Sequence, residues 1–403
     1  MADWSEIPED IYRKIAVEHL ENLEDFEAFK EVCSKWRYAV KGVNFCPSKN
    51  TQLPWLMLAD PPNSPHRRFY SLSKQMFRKF NLPQLDDKED DDHLRYFSSK
   101  GWLVSVSRMN RNITLFDPFS GKVIKPPSVP LDLMESAYEE WDDDDYLCFF
   151  WKFILSANSS CCDDFSVAMV FERTRKLAFW KPGEHKWTEP TVDFPTNIVY
   201  DVCYFKGEFY AIDNIGKVVA FGSGISKRQP RIVADLLAQG LVSNCSVNLY
   251  LVVVESSLLV IHRDVFLLEE EAKENEDYYW TKSFEIFELN VENGEAKRVK
   301  CVGDWAIFVG LNSTFSIEAT SDIRGCRSNC IYFTDDCCEF YLGSGVSRGG
   351  GSDIGIYSLT EQKIIQRIYG GPSQFNFLTP PMWLELPRQT VQVAEIAKIS
   401  PKN

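Results

Sequence analysis

The stretch that decides the fold is Gly207-Glu208-Phe209-Tyr210-Ala211-Ile212-Asp213-Asn214-Ile215-Gly216-Lys217-Val218-Val219-Ala220-Phe221. Two short apolar runs flank Asp213-Asn214-Ile215-Gly216, a cluster of turn-forming residues. Runs of Val, Ile, Phe and Tyr bounded in this way read as paired strands. Similar units recur on both sides. GWLVSVSRMNRNITLFDPFSGKVI starts at Gly101, FSVAMVFERTRKLAFWKPGEHKW at Phe165, and NLYLVVVESSLLVIHRD at Asn248. SFEIFELNVENGEAKRV follows from Ser283, and DWAIFVGLNSTFSIEAT from Asp304. NCIYFTDD, from Asn329, continues into DIGIYSLTEQKII.

The step from Gly207 to Asn248 suits one four-stranded blade, and repetition at ~40–50 residues without helices points to a β-propeller. A single β-sandwich is the competing architecture, but this region is long for one. The expected fold is a small all-α segment followed by an all-β domain, a propeller of about six blades. The spacing of the units is irregular. The acidic segments 139–145 and 269–277 read as insertions.

Residues 1–45 carry a different pattern. Ile11, Ile15 and Ala16 recur at helical spacing, as do Phe26, Phe29, Val32, Cys33 and Trp36. Pro8 suits a helix start, and Glu9 and Asp10 suit the positive end of its dipole. A second helix is expected from near Asn22 to about Val40, with Gly42 as its stop. So short a segment cannot bury all these apolar residues by itself, so some must be covered by the propeller or by a partner that fits an amphipathic helix pair.

Residues 46–95 read as a proline-rich and acidic connection, because Pro47, Pro54, Pro61, Pro62, Pro65 and Pro83 forbid long regular elements. One strand is expected at 53–58. It would close the ring by pairing near Ile354–Ile368. Asp86 to Asp92 reads as a solvated loop.

The chain has 403 residues, 58 acids against 44 bases, and a net charge of −14. Hydrophobic residues make up 44% and charged residues 25%, which excludes whole-chain disorder. No basic stripe invites nucleic acid or an anionic membrane. The acidic start, MADWSEIPED, lacks the pattern of a secretory signal. The apolar stretch Leu249 to Ile261 is interrupted by Glu255, Ser256 and Ser257 and is too short to span a bilayer. An intracellular protein of the cytoplasm or nucleus, with reduced thiols, is expected. The glycosylation sequons at Asn112, Asn158, Asn244 and Asn312 then read as chance matches.

No residue nominates itself for catalysis. His19, His66, His93, His185 and His262 show no metal-binding spacing. Gly345-Val346-Ser347-Arg348-Gly349 matches a nucleophile elbow in letters, but it lies in a Gly/Ser-rich stretch without a helix after it. Cys326, Cys330, Cys337 and Cys338 cluster, yet the last two are adjacent and suit one tetrahedral ion poorly. Buried free thiols are the expectation, for these and for Cys161 and Cys162. No P-loop or dinucleotide fingerprint occurs. No cofactor or metal is expected.

Trp4-Ser5-Glu6-Ile7-Pro8-Glu9-Asp10-Ile11, then Ile15 and Leu20, then Val32-Cys33-Ser34-Lys35-Trp36-Arg37 resemble the F-box, with Ile7 in place of the commoner leucine. Later pieces resemble plant F-box proteins with a KIB-type, kelch-like propeller. They include Leu53 to Leu58, Ser99-Lys100-Gly101-Trp102-Leu103, Leu115 to Gly121, and Tyr200-Asp201-Val202 with Gly207-Glu208-Phe209-Tyr210-Ala211. Asp304 to Gly310, Asn329 to Asp336 and Pro380-Pro381-Met382-Trp383 complete the set. The likeness covers roughly residues 4–387. Strict kelch and WD spacings are missing.

The resemblance implies an F-box at 1–45, the connection at 46–95, a propeller at 96–387 and a tail at 388–403. It implies a non-catalytic substrate receptor of a Skp-cullin-F-box (SCF) ubiquitin ligase. The Skp-type adaptor would meet Ile7, Pro8, Ile11, Ile15, Leu20, Val32, Cys33 and Trp36, with Trp36 alternatively supporting the helical core. The propeller would hold an unknown protein target, and the acidic insertions would favour a basic one. Two alternatives stand beside this: a ubiquitin-independent binding or inhibitory propeller, for example of a protein kinase, and a propeller enzyme or sugar binder.

Overall fold

A computed structural model describes residues 7–20, 23–43, 52–61, 64, 66–81, 94–107, 111–129, 149–157, 164–172, 175–190, 198–222, 230–243, 248–267, 279–319, 325–338, 350–368 and 374–386. The elements separate into two units: residues 1–52 with 387–403, and residues 53–386.

The first unit contains α1 (Glu9–Lys14), a π-helical turn (Ile15–His19), α2 (Leu23–Val32) and α3 (Ser34–Ala39). Pro8 stands at the head of α1 in extended conformation, and its carbonyl accepts from the Ile11 N–H at 3.1 Å. Tyr12, Ala16, Leu23, Phe26, Phe29, Ala39 and Val40 are buried. The single helix expected from Asn22 to Val40 is in fact two. Cys33 breaks it with an extended backbone, and its carbonyl takes the Arg37 N–H at 3.1 Å to start α3.

The second unit is a six-bladed propeller. Blade 1 holds β1 (Trp55–Met57), β2 (His66–Ser71) and β3 (Met76–Asn81), with β24 (Met382–Leu384) at its inner edge. Blade 2 runs from β4 (Leu94–Ser99) through β5 (Trp102–Ser107) and β6 (Ile113–Phe116) to β7 (Val123–Ile124). In blade 3, β8 (Phe150–Leu155), β9 (Val167–Phe171) and β10 (Lys176–Trp180) are extended by a bridge between Phe179 and Thr188. Blade 4 is β11 (Val199–Phe205), β12 (Glu208–Asp213), β13 (Lys217–Gly222) and β14 (Arg231–Asp235). Blade 5 is β15 (Leu249–Val254), β16 (Ser257–Leu267), β17 (Tyr279–Leu289) and β18 (Ala296–Val299).

Blade 6 departs from the simple meander. β19 (Trp305–Val309) hairpins inward to β20 (Phe315–Glu318), and β21 (Cys330–Phe333) then lies parallel to β19. β22 (Gly355–Ser358) and β23 (Lys363–Arg367) follow outward. Two of the sequence units, from Asn248 and from Ser283, fold into one blade, and the last two likewise share blade 6.

Inner strands such as β4, β5, β8 and β9 are buried on both faces, which is why a run such as that of β9 reads as unbroken and apolar, whereas outer strands such as β2, β18 and β23 are partly exposed. The core is the set of seams between blades. Phe97, Phe153 and Trp180 fill the seam of blades 2 and 3, and Tyr210, Leu251 and Phe287 that of blades 4 and 5. Tyr250, Phe284 and Phe333 join blades 5 and 6; Leu56, Phe308 and Trp383 join blades 6 and 1. Phe179 meets Phe209 at 5.4 Å between blades 3 and 4, and Trp55 meets Phe119 at 5.6 Å between blades 1 and 2.

The hairpin that opened the reading is present as β12 and β13. Gly216 takes φ +80° in its turn, and a Cβ there would lie 2.8 Å from Val242. β11 and β12 are joined by Lys206 and Gly207, both with positive φ, as the right-handed twist of a two-residue hairpin favours.

Two differences from the sequence reading concern ring closure. The 46–95 segment supplies three strands where one was expected. Of its described prolines, Pro54 precedes β1 and Pro61 sits in the β1–β2 connection. Asp60 holds that connection by accepting from the Arg68 backbone N–H at 2.6 Å and from its Nε at 2.7 Å. The ring closes as Leu56 pairs with Trp383, in β24, and not near Ile354–Ile368. The latter residues already pair within blade 6 as β22 and β23.

Candidate functional site

In the helical unit, α1 and the π turn have two faces. Tyr12 and Ala16 point into the core. Ile7, Ile11 and Ile15, four residues apart, lie on another side, where Ile11 is 41% exposed and Ile7 and Ile15 are half-buried. Pro8 is exposed, and Leu20 is half-buried in the extended residue after the turn. Val32, at the end of α2, is 58% exposed. Cys33 is half-buried. Trp36 faces inward instead, its ring 4.4 Å from Phe29 and 5.2 Å from Tyr12. Of the eight residues named from sequence, Trp36 thus supports the helical core. Val17 and Tyr38, which sequence reasoning did not single out, are also large, apolar and exposed. The offset between the Ile7-Ile11-Ile15 row and the Tyr12-Ala16 row was the signal that separates the two faces.

In the propeller, two buried polar knots hold the blades. Asp201, on innermost strand β11, accepts from the Lys152 ammonium of blade 3 at 2.9 Å and the Leu251 N–H of blade 5 at 2.9 Å. It also accepts from the Thr314 hydroxyl of blade 6 at 3.0 Å. One carboxylate therefore ties four blades around the channel.

The second knot surrounds Arg263 of β16. Its guanidinium donates to Thr281 Oγ1 at 2.7 Å, Asp336 at 2.7 Å, Asp353 at 2.9 Å and the Thr334 carbonyl at 3.0 Å. Burial opposes its charge, but Tyr250, Cys337, Asp353 and Asp336 hold it protonated, above the usual range. Tyr279 donates to Asp335 at 2.7 Å. Burial pushes the Asp335 carboxyl up, and the neighbouring Asp353 adds to this. Burial likewise pushes the Tyr250 hydroxyl up, reinforced by Asp336.

The clustered thiols diverge. Cys330 is buried on β21, Asn248 donates to Cys337 at 3.1 Å, and Arg95 donates to Cys338 at 3.7 Å. Among the described residues, no group of three or more His, Cys, Asp or Glu side chains is placed to hold a metal. None of their helices is long and apolar enough to cross a membrane. Asn312 is wholly buried. Cys161, Cys162 and the Gly345–Gly349 motif lie outside the described residues.

A family model described as the KIB1-4 beta-propeller matches residues 69–358, well over half of the chain. The chain belongs to the KIB1-4 β-propeller family. Relatives of this KIB1-4 propeller include the F-box protein SKIP23 of Arabidopsis thaliana, 25% identical over 95% of this chain and 96% of that protein. Another F-box protein of the same plant is 23% identical over 83% of this chain and 96% of its own length. A chain in the crystal structure of a nidogen/laminin complex aligns over 83% of this chain and all of its own, with a TM-score of 0.42 and 8% identity. That last likeness is too distant to carry an argument. The family pieces noted in the sequence have structural roles: Asp201 of Tyr200-Asp201-Val202 is the four-blade knot, and Asp335 and Asp336 after β21 belong to the Arg263 knot.

Proposed function

We propose that the chain is the substrate-recognition subunit of an SCF-type ubiquitin ligase, non-catalytic itself, with the helical unit docking on a Skp-type adaptor and the KIB1-4 propeller holding a target protein. The relatives' F-box names support the first half. The observation that carries the reading is the apolar face left open on a unit of so few residues. Ile11 and Val32 are 41% and 58% exposed although Tyr12, Phe26 and Phe29 already fill the interior. A small unit gains little by holding such side chains in water, and an apolar groove in a partner would bury them.

The adaptor contacts are assigned to Ile7, Pro8, Ile11, Ile15, Leu20, Val32 and Cys33, with Trp36 acting behind them as a support. Target capture needs no reacting group, so the buried polar knots serve to fix the blades. The test is a pull-down of the full chain with a Skp-type adaptor, beside the Ile11→Asp/Ile15→Asp double variant. Each change would place an unpaired charge in the groove, costing several kcal/mol. Binding by the wild type and its loss in a still-folded variant is the expected result. Failure of the folded wild type to bind would move the role to a stand-alone binding propeller.

A further inference from the structure

The buried charges on the inner strands of the propeller do not cancel. β4, β8, β11 and β15 are the inner strands of blades 2 to 5, and their charged side chains are Arg95, Lys152 and Asp201. All three are buried. The Lys152 ammonium and the Asp201 carboxylate answer each other at 2.9 Å. Arg95 is left over.

Arg95 is 1% exposed. Its Nη2 donates to Cys338 Sγ at 3.7 Å, a long bond to a weak acceptor. Among the described residues, its Nε and Nη1 have no hydrogen-bond partner, and no carboxylate pairs with it. The Phe97 ring lies 5.1 Å from the guanidinium carbon and offers a π face, not an acceptor. The acids beside Cys338 are engaged elsewhere: Asp335 accepts from Tyr279, and Asp336 from Arg263. Arg263, equally buried, meets two carboxylates, Asp336 and Asp353. Arg95 meets none.

The place is the central channel. Arg95 belongs to blade 2 and Cys338 follows β21 of blade 6, two blades that are not neighbours in the ring. The Ser313 N–H of blade 6 makes the same crossing to the Ser98 carbonyl of blade 2, at 2.8 Å. A buried charge without a counter-charge is costly. Water can satisfy N–H groups but brings no charge. A guanidinium, with several N–H groups fixed in one plane, suits an oxyanion. The enclosure by Phe97 and Cys338 requires a small one.

We infer that the channel of the propeller holds a small oxyanion against Arg95. The Nε and Nη1 groups donate to it, and it carries the counter-charge that ties blade 2 to blade 6. It is a resident of the fold, with no bond made or broken. The inference is independent of the substrate-receptor reading.

The test follows thermal unfolding of the full chain in a chloride buffer, with inorganic phosphate then replacing chloride at constant ionic strength, beside the variant Arg95→Met. Methionine keeps an unbranched apolar stem and removes the charge. Phosphate strengthens burial in proteins generally, so the difference between the two chains is the readout. In chloride, Arg95→Met should melt at or above the wild type, because a stranded charge is gone. In millimolar phosphate the wild type should rise about 2–4 °C further than the variant and overtake it. Equal rises in the two chains, or no rise in either, would overturn the inference. So would a variant that melts below the wild type by the same margin in both buffers, since Arg95 would then be satisfied by the protein alone. If Arg95→Met does not fold, phosphorus NMR of inorganic phosphate with the wild type and Arg95→Lys decides. Saturable line broadening by the wild type, weakened in the lysine variant that lacks the planar fork, is expected. Broadening that is absent, or that never saturates, would contradict it.

Discussion

Asp201 shows how much one carboxylate can organise. It accepts from Lys152, Leu251, Thr314 and its own strand's Val202 N–H, and both it and Lys152 are almost wholly buried. Asp201→Ala would strand a buried ammonium, so we expect a loss of about 3–5 kcal/mol in urea unfolding. A midpoint within error of the wild type would show that the knot is not what holds the blades. This role was hidden in the sequence. Asp201 was visible only as part of a short resembling piece, and nothing in 58 acids distinguished it. Buried polar knots join residues far apart in the chain, as Arg263 joins Asp336 and Asp353, so local pattern cannot reveal them. Trp36 was open for the same reason: its spacing fitted either face, and only its tilted ring contacts with Phe29 and Tyr12 decide.

Among the elements, the β12–β13 turn carries a pH dependence. Burial pushes the Asp213 carboxyl up to about 6, against the pull of the Lys217 and Ile215 N–H groups. A carboxyl raised above its unfolded value favours folding most when protonated. Its contribution is full below about pH 4 and is lost as the pH rises through about 6, by roughly 2–3 kcal/mol. Asp213→Asn keeps an acceptor for the Lys217 and Ile215 N–H groups and removes the titration. Between pH 4 and 7, the wild type should lose more stability than this variant in chemical denaturation. Parallel curves would contradict the assignment.

Elements were the legible scale. The repeated apolar runs and turns marked strands in each of blades 2 to 6, though not β4, β8, β11 or β14, because apolar runs and turn residues are local signals. The breaks were less so. Cys33 splits a helix whose periodicity runs on through it, and the strands β16 and β17 outrun the units from which they were read.

At the scale of the molecule, closure depends on three residues at the far end of the chain. β24 gives blade 1 its inner strand, and Trp383 is fully buried against Phe308 at 5.1 Å and Tyr332 at 6.0 Å. Trp383→Ala should cost about 3–5 kcal/mol. Its thermal transition should also broaden, since blades 1 and 6 are released from each other. An unchanged, equally sharp transition would mean the ring does not need this latch. Sequence could foresee that both ends complete one blade but not which strand does so, because short strands such as Met382–Leu384 carry too little pattern.

The central claim concerns the open helical face. Hydrogen exchange of the full chain, with and without a Skp-type adaptor, tests it most directly. The amides of α1, the π turn and the α2–α3 junction should exchange quickly alone and become protected in the complex, while the blades stay unchanged. Protection that falls on the blades and spares residues 9–19 and 32–36 would contradict the account.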